Sequence, residues 1–189
     1  MTAARTRRRG RSVSRTRRTG HGRRPLRPRI SILIEAPEWR RRVRNVTALA
    51  RRAAAAALAA DPPANMVELS LVLADDRMVH ELNRRWRGHD KPTNVLSFPA
   101  EDQATRPPRL PDNVRRPLGD VVIASGVATA EARTQGKSVG AHLAHLVVHG
   151  VLHLLGHDHE RDADADRMEA MEVSILRRLG IADPYRGAR

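Results

Sequence analysis

The chain of 189 residues contains no cysteine. That absence removes disulfides, thiol nucleophiles and cysteine-based zinc fingers together, so any bound metal must be held by nitrogen and oxygen donors. Aromatic residues are also scarce: Trp39, Trp86, Phe98 and Tyr185 are the whole set. Four rings are too few for the stacked platform of a single-strand-binding sheet, which leaves arginine and phosphate chemistry as the route to nucleic acid. No run approaches the eighteen or so apolar residues of a membrane span, and no secretory hydrophobic region follows the basic start. The expected location is cytoplasmic. Acidic residues are missing from residues 1–29, which hold twelve arginines, so only +2 of the formal net charge of +14 belongs to residues 30–189. A segment of that composition buries too little apolar surface to offset its ordering entropy, and residues 1–28 read as a disordered tail suited to polyphosphate. An idle solubilising start is the competing reading, and a transit peptide ranks last because amphipathic periodicity is lacking.

The remaining residues, 29–182, suit one domain, with a short tail at 183–189. Residues 30–34 and 66–74 read as strands, the second through the alternation Val67, Leu69, Leu71, Leu73. Helical spacing runs from Pro37 and Glu38 through residues 41–60 to the breaker Asp61-Pro62-Pro63, and a second helix opens at Asp75 and Asp76, whose oxygens suit free amide groups. A polar turn at 87–94 enters a short strand, and residues 100–117 form a loop rich in proline and charge. A further strand at 118–124 precedes a short helix at 127–134. Residues 139–155 are apolar on almost every face, which places that helix at the centre of the fold. A last helix spans 162–179 with acids first and arginines last, matching the helix dipole. The acids Asp162, Asp164 and Asp166 suggest calcium, but Arg167 replaces the required glycine, and a capped acidic helix start is the simpler account.

Three imidazoles dominate the chemistry. His149 and His153 are four apart and share one helix face, so both can turn a ring nitrogen toward one ion. Gly156 can take positive φ beyond the helix end and bring His159 back to them. Three neutral nitrogen donors with a fourth position open describe a catalytic zinc site, although nickel, cobalt or iron would also suit them. His145 lies too far along the helix to share that ion and is expected to support the ligands or to pack. The spacing matches the metzincin peptidases, but their general-base glutamate is here Gly150, and losing a general base costs about 10²- to 10⁴-fold in rate. Peptidase activity is therefore a weak reading.

Three stretches, residues 149–159, Arg87-Gly-His-Asp-Lys-Pro-Thr-Asn-Val-Leu-Ser-Phe-Pro99 with Leu82-Asn83 before it, and Leu118-Gly-Asp120, together resemble the YbeY family of rRNA-maturation endoribonucleases. His89 and His157 depart from it, standing where lysine and tyrosine are common. The resemblance covers residues 30–179. It implies a single α/β (α+β) domain with a small mixed four-stranded sheet, about five helices and a zincin-like central helix bearing the histidines. It further implies one metal on His149, His153 and His159, functional weight on Arg87 and His149, and a role in ribosomal RNA maturation and ribosome quality control. Implied partners are the rRNA precursor, the small ribosomal subunit and a ribosomal protein or GTPase.

Beside a metal, Arg87 and Lys91 would hold a phosphodiester. Asn94 and Ser97 would either donate to substrate or fix the turn, and Thr93 reads as turn support. The attacking group is open between water acidified by the ion and the RNA 2′-OH. The competing class is a ribosome-associated assembly factor with a structural metal, marked by Asp158 closing the coordination shell. Deleting residues 1–28 should weaken RNA binding and flatten its salt dependence, since each phosphate contact on a single strand adds about −0.7 to the log–log slope; an unchanged slope would show the tail idle.

Overall fold

The computed structural model describes residues 28–101, 110–111, 114–159 and 161–186, so the arginine-rich segment lies outside the described residues apart from Pro28. Four strands, β1 (Arg29–Ile34), β2 (Val67–Ala74), β3 (Val95–Pro99) and β4 (Arg116–Ala124), form one mixed sheet in the order β1-β2-β4-β3. β1, β2 and β4 are parallel, while β3 closes one edge antiparallel to β4. Parallel neighbours need crossover connections, and helices supply them. α1 (Glu38–Arg42) and α2 (Val46–Ala60) link β1 to β2, and α3 (Asp76–Arg87) follows β2. α4 (Ser125–Thr134), α5 (Val139–Leu155) and α6 (Asp162–Arg178) complete the domain.

Among the described residues there are six helices where about five were expected, because the run expected to continue through residue 60 breaks after Arg42. Val43 is extended and Asn45 takes a left-handed conformation with φ 52°. That bend lets α1 bury Trp39 completely, its Nε1 donating to Ala74 O at 3.1 Å. The loop expected to reach residue 117 also ends early. β4 begins at Arg116, whose buried guanidinium pairs with Glu101 at 3.0 Å. Asp75 caps α3 as expected, accepting from Met78 N at 2.8 Å. Asp76 does something different: its Oδ1 accepts from Gly126 N at 2.7 Å and Val127 N at 3.1 Å, capping the start of α4. α6 begins without a side-chain cap, its first-turn acids Asp162 and Asp164 suit the helix dipole, and Asp164 also pairs with Arg167 one turn on.

The sheet buries both faces, and period-two alternation divides its side chains between them. Val121 and Ile123 join Leu71 and Leu73 in the main core, under α2 and α5. Val122 and Ala124 face the other way, packing with Leu96 and with Val79 of α3. α5 thus occupies the centre, burying Leu143, Val147, Val148, Val151, Leu152 and Leu154 as its composition required. It lies very close to the sheet at Gly150, where an added Cβ would sit 2.5 Å from Val121 Cγ1 and 3.1 Å from Ser97 Oγ. Gly150→Ala should therefore destabilise the fold by about 1–3 kcal/mol through overpacking, read from urea denaturation; a change within error would contradict this contact.

Candidate functional site

α5 starts at Ser138, whose Oγ accepts from Ala141 N at 3.1 Å. It stops at Gly156, with φ 102°. Gly156 N donates to His153 O and His157 N to Leu152 O, each at 3.0 Å, so the glycine turns the chain back in a Schellman-type end. The reversal carries His159 onto the face that bears His149 and His153. The His159 ring stacks on His149 with centroids 5.4 Å apart and meets His153 at 4.9 Å. One ring nitrogen from each of the three lies within 4.8 Å of the others.

The donor chemistry fits a metal. His149 Nε2 and His153 Nε2 face each other at 3.0 Å, near the separation of about 3.3 Å between adjacent nitrogens on a tetrahedral zinc. Their other nitrogens are engaged outward, His153 Nδ1 with His157 O at 3.0 Å and His149 Nδ1 with Glu172 Oε1 at 2.8 Å. Burial, reinforced by the neighbouring His149 and His159, pulls His153 down to about 4, so it is neutral at pH 7 and free to donate a lone pair. Asp158 stays out of the converging set, its Oδ1 accepting from His159 N at 2.7 Å. The cradle borders a cleft of about 320 Å³ that also reaches Asn94, Glu131, His142 and Tyr185.

The sequence-predicted contacts divide. Ser97 Oγ donates to Gly150 O at 3.1 Å, tying β3 to α5 one residue from His149. Asn94 lines the cleft, its amide donating to Glu131 Oε1 and Oε2 at 3.1 and 2.9 Å. Arg87, at the end of α3, and Lys91 are exposed. Neither is among the residues that line the cleft. The turn they occupy is held by Asn83, whose side chain donates to Lys91 O at 2.8 Å, and leads directly to Asn94. His157 Nε2 pairs with Asp61 Oδ2 at 2.9 Å, anchoring the chain reversal to the end of α2.

Glu172 escaped the sequence reading. Its signal was an acid at a core spacing, four residues after buried Met168 and three before buried Ile175. Burial alone would raise its pKa, but hydrogen bonds from His145 and His149 outweigh that and hold the carboxyl at about 2. His142 pairs with Glu131 at 2.7 Å, and burial lowers its pKa. Tyr185, expected in a terminal tail, packs edge-on to His145 and donates to Glu172, which raises its pKa together with burial.

Fold and site together define a mixed α/β domain whose central helix carries a three-histidine cradle able to hold a metal ion. A family model described as Endoribonuclease YbeY matches residues 33–180. The Endoribonuclease YbeY of Paramagnetospirillum magneticum is 50 % identical over 157 residues, covering 82 % of this chain and 94 % of that one. The one from Nitrobacter winogradskyi is 46 % identical over 158 residues, covering 84 % and 82 %. A solution structure from Thermotoga maritima shares the fold, with a TM-score of 0.53 at 23 % identity, covering 85 % of this chain and 91 % of that one. The chain belongs to the endoribonuclease YbeY family, hydrolases whose substrate is RNA. Among the described residues no single helix is long and apolar enough to cross a membrane.

The lowered pKa of His153 has a thermodynamic consequence. Between about 4 and its ordinary 6.5 the unfolded chain binds a proton there that the folded, metal-free chain does not. Stability therefore rises with pH across that window and is lost as pH falls through it. Below 4.5, protonation of unfolded Glu172 continues the loss toward about 2. The metal-free chain should melt at a lower temperature at pH 5 than at pH 7, and His153→Gln should reduce the difference. An equal or higher melting temperature at pH 5 would contradict the neutral His153.

Proposed function

We propose that this chain is a single-strand-specific, metal-dependent endoribonuclease of ribosomal RNA maturation and ribosome quality control. It acts in the cytoplasm on the rRNA precursor or the small ribosomal subunit, with a ribosomal protein or GTPase as partner. The observation that carries this reading is the convergence of His149, His153 and His159 at a cleft, with Asp158 turned aside. A cradle left open on one side suits catalysis better than a closed structural site.

Those three nitrogens would hold a zinc ion or a similar divalent metal, which would supply Lewis acidity to a phosphodiester and lower the pKa of a bound water toward 7. The protein's own groups place the RNA. Arg87 and Lys91 are exposed cations on the turn that leads to Asn94 at the cleft wall, and they grip phosphate oxygens and offset charge that builds during cleavage. Asn94 borders the strand's path, its amide held by Glu131 so that its orientation is set before RNA arrives. Ser97 works from behind, its proton committed to Gly150 O, so it fixes the helix that presents His149. Gly150 offers no general base, and the attacking oxygen comes from water or from the RNA 2′-OH.

Arg87→Ala should keep zinc content and melting temperature while cleavage of an unstructured RNA falls about 10²- to 10³-fold, the loss typical of removing a group that stabilises developing charge. His149→Ala should lose both zinc and cleavage. End-group analysis of the products separates the two attackers, since a 2′,3′-cyclic phosphate reports the 2′-OH. Full cleavage by Arg87→Ala would remove Arg87 from the mechanism, and a zinc-loaded wild type that never cuts single-stranded RNA would overturn the enzyme reading.

A further inference from the structure

Glu172 sits where α6 would otherwise continue an apolar stripe, between Met168 and the pair Ile175 and Leu176. Its side chain is 0 % exposed. A carboxylate removed from water is retained only where hydrogen bonds replace its hydration, and a hydrocarbon side chain would fill the same space at less cost. Three groups supply those bonds. His149 Nδ1 meets Oε1 at 2.8 Å, His145 Nε2 meets Oε2 at 2.8 Å, and the Tyr185 hydroxyl donates to Oε2. They come from the centre of α5 and from the segment after α6, so the carboxylate joins three parts of the chain.

The direction of these bonds settles where protons sit. An ionised carboxylate only accepts, and a neutral imidazole has a single N–H. His149 must therefore carry its proton on Nδ1, which leaves the Nε2 lone pair facing His153 Nε2 at 3.0 Å. His153 is held in the same tautomer by a backbone oxygen, His157 O, which also only accepts. His145 is held in the opposite one, its proton on Nε2. Its buried Nδ1 has no hydrogen-bond partner, the lesser cost when that nitrogen bears a lone pair and no proton. The backbone oxygen that orients His153 is local to the end of α5, whereas the partner of His149 comes from another helix.

We propose that Glu172 is a positioning residue that fixes His149 in the Nδ1–H tautomer with Nε2 turned into the metal cradle, and that His145 and Tyr185 hold its carboxylate in place. The assignment rests on the cradle being a metal site and is independent of RNA. Outer partners of this kind orient the ligand ring and raise its basicity, and removing one typically weakens metal binding by about 10- to 100-fold.

The test uses the full chain with nitrogen-15-labelled histidine. In the metal-free wild type, long-range nitrogen–proton spectra should show His149 protonated at Nδ1 and His145 at Nε2. Glu172→Leu and Glu172→Gln, checked for folding by circular dichroism, should bind zinc about 10- to 100-fold more weakly in competition with a chelator, with a smaller loss for Tyr185→Phe. A purely structural role would instead lower the metal-free melting temperature and leave zinc affinity unchanged. The proposal is overturned by His149 protonated at Nε2 in the wild type, or by folded Glu172→Gln binding zinc within about twofold of wild type. Should Glu172→Leu fail to fold, the wild-type tautomers and Glu172→Gln decide. Wild type that binds no zinc would overturn the cradle and this assignment together, whereas zinc binding lost in the variants of a chain that cuts no RNA would support it and overturn the ribonuclease reading alone.

Discussion

At Gly150 the central helix approaches the sheet so closely that a methyl group would meet Val121 Cγ1 at 2.5 Å. The rest of the site depends on that approach. Seated there, α5 buries Val147, Val151, Leu152 and Leu154 on the core side, each contributing about 1.5–3 kcal/mol relative to exposure. Seated so deeply, it has a fixed rotation, and the rotation brings the rings of His149, at the cleft, and His153 together. Ser97 locks the same point from the sheet edge through Gly150 O. A glutamate in place of Gly150, as in the peptidases of similar spacing, has no room on this scaffold. The missing base and the close packing have one cause.

The polar side of the helix is held by pairings that replace water. Each buried or half-buried imidazole has a committed partner: His142 with Glu131, His145 and His149 with Glu172, His153 with His157 O. Such networks orient side chains before any ligand arrives, which reduces the cost of binding an ion. Gly156 and the His157–Asp61 pair then decide where His159 falls. The cradle is thus assembled by a helix end, a chain reversal and a remote carboxylate, with the sheet as their common base.

Much of this was legible in the residues. The alternation of β2, the apolar length of α5 and the glycine after it announced a strand, the buried helix and its C-terminal reversal, spacing alone grouped the three histidines, and the mixed sheet followed from the family resemblance. What escaped depends on contacts between distant segments. Asn45 adopts a left-handed turn that no helical periodicity reveals, because the residues on both sides keep apolar spacing. Asp76 serves α4 across 50 residues of sequence. Glu172 passed as one more acid of an amphipathic helix, although its spacing from Met168 and Ile175 is that of a core position and it is buried. Arg87 and Lys91 were expected beside the metal with the family motif; Arg87 ends α3 and Lys91 lies in the exposed turn that follows, and α3 packs on the sheet face opposite α5.

The proposed cleavage of RNA depends on one metal ion held by His149, His153 and His159. The most direct measurement of that dependence is a titration of zinc into the metal-free chain while cleavage of an unstructured RNA is followed. Cleavage should be absent at the start, rise in proportion to added zinc and level off at one equivalent per chain. Full cleavage before any metal is added, or one bound equivalent with no gain in cleavage, would contradict that dependence.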